Sequence, residues 1–186
     1  MTSTNQNYIA FLRGINVGGH HKLPMADLKI ELESLGLKNI TTLLNSGNII
    51  FESDIAINPE LENKISTHLE KSFGFPIPTI IRKAELILQL FNNNPFKNVK
   101  LTKDIRLYVS FLRENHKSEL KLPWKSPDES YEILEHTDKA ILSILDLSIS
   151  KTPKAMETLE KFYGKDITTR NWNTIERIAK KLTPIK

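Results

Sequence analysis

An α+β protein of two lobes, each laid out as strand-helix-strand-strand-helix-strand, is what this sequence predicts. Three observations carry the prediction. In the first half, short apolar runs alternate with helical stripes in that order. The second half repeats the order of elements less cleanly, with no repetition of residues. Between the halves, "NNNPF" at residues 92–96 breaks a helix. The plan is ferredoxin-like. It places a first lobe with a linking helix at residues 1–91, a linker at 92–103, and a second lobe with a C-terminal helix at 104–186.

Each element has its own warrant. Tyr8 to Leu12 is nearly all apolar, as in a strand buried on both faces. Pro24 suits a helix start, and Met25, Leu28, Leu32 and Leu35 recur at helical spacing before Gly36. Ile40 to Asn45 and Ile49 to Phe51 read as strands joined by a turn at Ser46-Gly47. Asn58-Pro59 reads as a cap before a helix striped by Leu61, Ile65, Leu69 and Phe73 and stopped by Gly74. Thr79 to Ile81 closes the first set. A linking helix over Glu85 to Phe91 should turn Leu86, Ile87, Leu90 and Phe91 inward.

In the second half, Ile105, Leu107, Val109 and Phe111 alternate with more polar neighbours, as in a strand with one buried face. Residues 113–129 hold at most a short helix before Pro123. Tyr131 to Leu134 and Ala140 to Leu147 pair about "EHTD". Ala155, Leu159 and Phe162 mark a helix ended by Gly164, and Ile167-Thr168 a very short strand. Trp172, Ile175, Ala179 and Leu182 form the last stripe.

Composition narrows the class. At 186 residues, 39% hydrophobic and 26% charged, the chain suits a globular protein with a real core. No apolar run approaches the ~20 residues of a membrane span. The polar start "MTSTNQN" lacks a signal-like apolar region, and the absence of cysteine excludes disulfides and thiolate metal sites, so a cytoplasmic location is expected. A net charge of +4 favours anionic partners but is not clustered into a basic block.

Connectivity gathers the polar loops. In the first lobe, "RGINVGGHHK" (13–22) and "NSGN" (45–48) should share one rim of the sheet. In the second, "SISK" and "TTRN" should share the opposite end, clustering Ser150, Lys151, Thr169, Arg170 and Asn171.

A glycine-bearing connection before a helix exposes backbone amides beside a partial positive charge. Gly14, Gly18 and Gly19 could donate such amides to an anion, Arg13 and Lys22 could neutralise it, and Asn16, Ser46 and Asn48 could orient it. The competing reading is a tight turn that lets another segment pack close. The pattern is neither a dinucleotide-binding fingerprint nor a P-loop. His20 and His21 have no third ligand at telling spacing, so no metal and no cofactor is expected. Ser150-Lys151 invites a catalytic dyad, but adjacent side chains diverge; Lys151, Arg170 and Asn171 remain candidate anion contacts. Trp172 should pack inward.

The stretches "YIAFLRGINVGGHHKLPMADL", "LNSGNIIFES", "NPF" and "TTRNWNTIERIAKKL" resemble the bacterial family called domain of unknown function 1697. The resemblance spans nearly the whole chain. It implies a cytoplasmic bacterial protein of ferredoxin-like lobes, without an assigned activity. Its motifs correspond here to Arg13, Gly14, Asn16, Val17, Gly18 and Gly19, to Ser46, Gly47 and Asn48, and to Thr169 through Asn173. One departure is "LDLSISK" where the family carries Gly-x-Gly-x-Ser-Lys.

Three function classes follow. The first is binding of a small phosphate- or carboxylate-bearing ligand at the glycine-bearing loop. The second is RNA or single-stranded nucleic-acid binding, for which Tyr8, Phe11 and Phe51 could stack on the sheet, although burial is what is expected of them. The third is an enzyme, for which no nucleophile, base and orienting group can be assigned.

Overall fold

The computed structural model describes residues 6–54, 59–115, 118–137 and 139–183. The chain divides into two compact units, Met1–Gln89 and Leu90–Lys186. It is a mixed α+β protein with two antiparallel sheets and five helices among the described residues.

The first unit runs β1 (Gln6–Leu12), α1 (Met25–Ser34), β2 (Lys38–Leu43), β3 (Asn48–Ser53), α2 (Pro59–Phe73), β4 (Thr79–Lys83) and into α3 (Ala84–Asn93). The expected Asn58 cap lies outside the described residues. The sheet order is β2-β3-β1-β4. β1 is central, antiparallel to β3 (Ala10 opposite Ile49) and to β4 (Ala10 opposite Ile81). Alternation then sorts its side chains: Tyr8, Ala10 and Leu12 join Leu28 and Leu32 of α1 and Leu61, Ile65 and Leu69 of α2 in one core. Ile9 and Phe11, on the other face, are also fully buried, as the all-apolar run requires. Each such side chain contributes roughly 1.5–3 kcal/mol on leaving water. In α3 only Ala84 and Ile87 are buried; Leu86, Leu90 and Phe91 stay half-exposed.

The second unit continues with β5 (Ile105–Leu112), β6 (Trp124–Lys125), β7 (Tyr131–Thr137), β8 (Ala140–Asp146), α4 (Thr152–Tyr163), β9 (Ile167–Asn171) and α5 (Trp172–Leu182). Its sheet order is β6-β7-β8-β5-β9. Between β5 and β7 the only regular element among the described residues is the two-residue β6, paired to Ile133 and Glu132, so this unit has no helical crossover there. Ala155, Leu159 and Tyr163 of α4 pack on Tyr108, Leu112, Ile133, Ile141 and Leu145. The expected inward residue Phe162 is half-buried and meets Trp124 edge-on at 4.9 Å, while Tyr163 goes inside.

Two expectations change. β5 is buried on both faces from Leu107 to Leu112, because Tyr108 and Ser110 lie inside as well. Ser110 fits there because its hydroxyl bonds Thr169 Oγ1 at 2.7 Å. And "TTRN" is strand rather than loop: β9 pairs with β5 from Ile167 opposite Leu112 to Asn171 opposite Tyr108.

Candidate functional site

One end of the first sheet collects three connections. Leu12 N donates to Gly47 O (2.8 Å), Arg13 N to Pro78 O (2.9 Å), and Asn16 Nδ2 to Asn45 O (2.9 Å). The strand end, the β2–β3 turn and the approach to β4 are thereby tied together, with partners 29 residues apart in the case of Asn16 and Asn45.

The loop itself is a miniature hairpin. His20 N donates to Val17 O and Asn16 N to His21 O, both at 3.1 Å. Gly18 and Gly19 form its two-residue tip with φ of 59° and 79°, the positive pair that a type I′ turn demands and glycine supplies without strain. His21 anchors the return: its ring stacks on Phe75 with centroids 4.5 Å apart, and Nδ1 donates to Gly14 O at 3.0 Å. The His21 ring thus serves the loop itself, while His20 is exposed and contributes its backbone amide; no group of three metal-ligating side chains occurs among the described residues.

Gly14, Gly18 and Gly19 are exposed, and a Cβ on any of them would meet nothing within 4 Å. Close approach therefore does not explain them. It does explain Gly47, where a Cβ would lie 2.7 Å from Leu12 Cβ and 2.9 Å from Ile15 Cδ1. Among the described residues the amides of Gly14, Gly18 and Gly19 meet no protein acceptor. Lys22 is exposed and makes no ion pair there, whereas Arg13 is half-buried. Pro24 is the N-cap of α1 rather than its first residue, and no side chain caps that helix.

The expected orienting amides are already committed to the fold. Asn16 Oδ1 accepts from Leu23 N (2.8 Å), and its Nδ2 donates to Leu23 O and Asn45 O. Asn48 is buried, its Nδ2 donating to Leu43 O (3.1 Å) and Ser46 Oγ (2.9 Å). These residues build the rim. A polar residue at a loop base and a polar residue in contact with ligand read identically in sequence.

In the second unit, Asn171 is the N-cap of α5 and Lys151 that of α4, both exposed and neither with a capping side-chain bond. Antiparallel pairing puts both at the end of the sheet where β5 begins, and Tyr108 links them: it faces Asn171, and its hydroxyl lies 3.0 Å from Thr152 Oγ1. Arg170 is turned into its own strand, Nη1 donating to Thr168 Oγ1 (2.8 Å) and Thr169 O (2.9 Å). Desolvation pulls its pKa down to about 10, which leaves it charged at neutral pH. Ser150 is buried and donates its amide to Asp146 O, while Lys151 is exposed; the pair diverges as adjacent residues should.

Two clusters escaped the sequence. Glu62 and Arg82 are both buried, with Nη1 3.7 Å from Oε1, and the same Oε1 accepts Ile81 N at 2.7 Å. On the surface of the first unit, Glu31 Oε2 accepts from Ser72 Oγ (2.8 Å) and His68 Nε2 (2.7 Å), and those two bonds hold its carboxyl below the usual carboxylate range. Ser34 Oγ lies 3.4 Å from the same His68 nitrogen. Acid and hydroxyl therefore compete for one ring nitrogen, which makes a clamp between α1 and α2 and no proton relay.

A family model described as protein of unknown function (DUF1697) matches residues 5–142. The chain belongs to this family. The DUF1697 match takes in the whole first rim. A solved structure, that of conserved bacterial protein SP0830 from Streptococcus pneumoniae, is similar at 27% identity with a TM-score of 0.70, covering 97% of this chain and 100% of that one. No curated protein matches the chain. No helix among the described residues is long and apolar enough to cross a membrane.

Proposed function

We propose that this protein binds a small phosphate- or carboxylate-bearing ligand at the rim of its first unit. The observation that carries the reading is the set of exposed glycine amides, Gly14, Gly18 and Gly19, with no protein acceptor among the described residues. Successive outward N–H groups in turns with positive φ form concavities suited to anions. Lys22 adds mobile charge, and Arg13 sits at the base of the same loop. The uncapped start of α1 adds about 0.3–1 kcal/mol for an anion, and a charged hydrogen bond about 1.5–3 kcal/mol. Asn16, Ser46 and Asn48 act here as the frame of the site. We also assign the ferredoxin-like plan to the first unit, on its strand order β2-β3-β1-β4, and a cytoplasmic location to the protein, a reading supported by the cysteine-free composition.

Stacking of RNA on the sheet gains no support, since Tyr8, Phe11 and Phe51 are at most 2% exposed. Nothing around the rim favours a chemical step over binding.

The test is a titration of ¹⁵N-labelled protein with inorganic phosphate and with citrate, followed by amide spectra. The largest shifts are expected at Gly14, Gly18 and Gly19, weakened about tenfold or more in Lys22→Ala. Unmoved glycine signals at saturating phosphate and citrate would refute the proposal.

A further inference from the structure

The second unit holds a cleft of about 470 Å³ at the N-terminus of α5, a volume in the range of small-molecule sites. Residues far apart in sequence form it: 94–107 supply one wall, and Asn171, Trp172, Asn173 and Glu176 the other. Its apolar base is fixed by Phe96 and Trp172, both buried and meeting edge-on at 5.2 Å. Around that base stand Lys97, Lys103 and Arg106, against the single carboxylate of Glu176.

The charges are not neutralised within the protein. Among the described residues, none of the three cations makes an ion pair. Arg106 is the informative one. It is half-buried, and only its Nη1 is held, donating to Lys103 O (2.7 Å) and Ile105 O (3.0 Å). Backbone carbonyls thus orient the guanidinium without cancelling its charge, and its remaining N–H donors have no partner among the described residues. The α5 terminus adds to the same field, since Asn171 makes no side-chain capping bond to the first amides of the helix. The side chains of Asn171 and Asn173 line the cleft and have no hydrogen-bond partner among the described residues.

We infer that this cleft is a second ligand site, separate from the glycine-bearing rim, and that it takes a small phosphate ester. A fixed guanidinium matches the planar pair of oxygens that a phosphate presents, and two exposed lysines supply point charge around it. The apolar base and the amides of Asn171 and Asn173 suit the body of such an ester better than they suit a bare ion. The cleft gathers residues that the glycine pattern gave no reason to join, and Asn171 belongs here.

Trp172 supplies the readout. The chain has two tryptophans, so Trp124→Phe leaves Trp172 as the sole indole at the cleft wall. Pyrophosphate should change its fluorescence saturably. Arg106→Gln in that background should weaken the response about tenfold or more, and Lys103→Ala should weaken it in the same direction. Lys22→Ala should leave it unchanged, because that residue belongs to the other site. Adenosine 5′-monophosphate should bind more tightly than inorganic phosphate, through its body. The inference is overturned by a fluorescence signal that does not respond to pyrophosphate, by a response equal in Arg106→Gln and Lys103→Ala to that of the parent, or by one that Lys22→Ala abolishes. Circular dichroism of each variant separates loss of binding from loss of fold; if Arg106→Gln fails to fold, Lys103→Ala decides.

Discussion

Two arginines, one in each unit, are handled in opposite ways. Arg82 in β4 is buried and stands 3.7 Å from the carboxylate of Glu62. Arg106 in β5 is held by backbone carbonyls, lines a cleft and makes no ion pair among the described residues. Each donates Nη1 to the carbonyl of the residue before it, Ile81 O for Arg82 and Ile105 O for Arg106. The local geometry is therefore shared, and the difference lies in the countercharge. A buried cation without one would be intolerable, so Arg82 reads as architecture. A half-buried cation without one retains its field for something outside the protein.

The largest effect should come from removing the countercharge where it is needed. Glu62→Ala removes the carboxylate beside the buried Arg82 and the acceptor of the Ile81 amide, and should lower unfolding stability by about 3–5 kcal/mol in urea denaturation. Arg106→Gln should cost under about 1 kcal/mol in the same measurement. Equal losses would erase the contrast between the two arginines.

A middle-sized effect tests frame against ligand contact at the rim. Asn16→Ala removes the side-chain bonds to Leu23 and Asn45 and should cost about 2 kcal/mol, with faster amide exchange at Leu23. An unchanged melting temperature with weakened anion binding would return Asn16 to the role of ligand contact.

The smallest effect is one of pH. The folded Glu31 carboxyl has a lowered pKa, through Ser72 first and His68 second. A depressed acid stabilises the fold above its unfolded value, about 4.3, and that contribution vanishes as pH falls through the lower folded value. Glu31→Gln should therefore lower stability slightly in the neutral region and converge with the parent as pH falls through the folded value, which flattens the acid limb of the stability curve. An acid limb identical to that of the parent would show that the clamp contributes nothing.

Much of the fold was legible because period and punctuation agree. Tyr8 to Leu12 reads as a strand buried on two faces and Met25, Leu28 and Leu32 as a helix stripe, and β1 and α1 lie there. "TTRN" misled because threonine, arginine and asparagine look like loop residues. Pairing to β5 and the Ser110–Thr169 bond make that stretch a strand, and both depend on a segment some sixty residues away; Arg170 then folds back on Thr168 and Thr169 of its own strand. The rim was legible in its glycines and illegible in its asparagines, since spacing does not say which way an amide points. The second cleft was not legible at all: Lys97, Lys103 and Arg106 meet Asn171 and Asn173 only through the fold.

Gly47 has an effect beyond its own position. Its carbonyl receives Leu12 N at 2.8 Å, and its α-carbon leaves no room for even a methyl group beside Leu12 and Ile15. The hairpin tip is thereby seated on the end of the central strand like a keystone. For the proposed anion site the consequence is a stiff mount: an anion docking at the glycine amides would meet donors already in place, with little chain freedom left to lose.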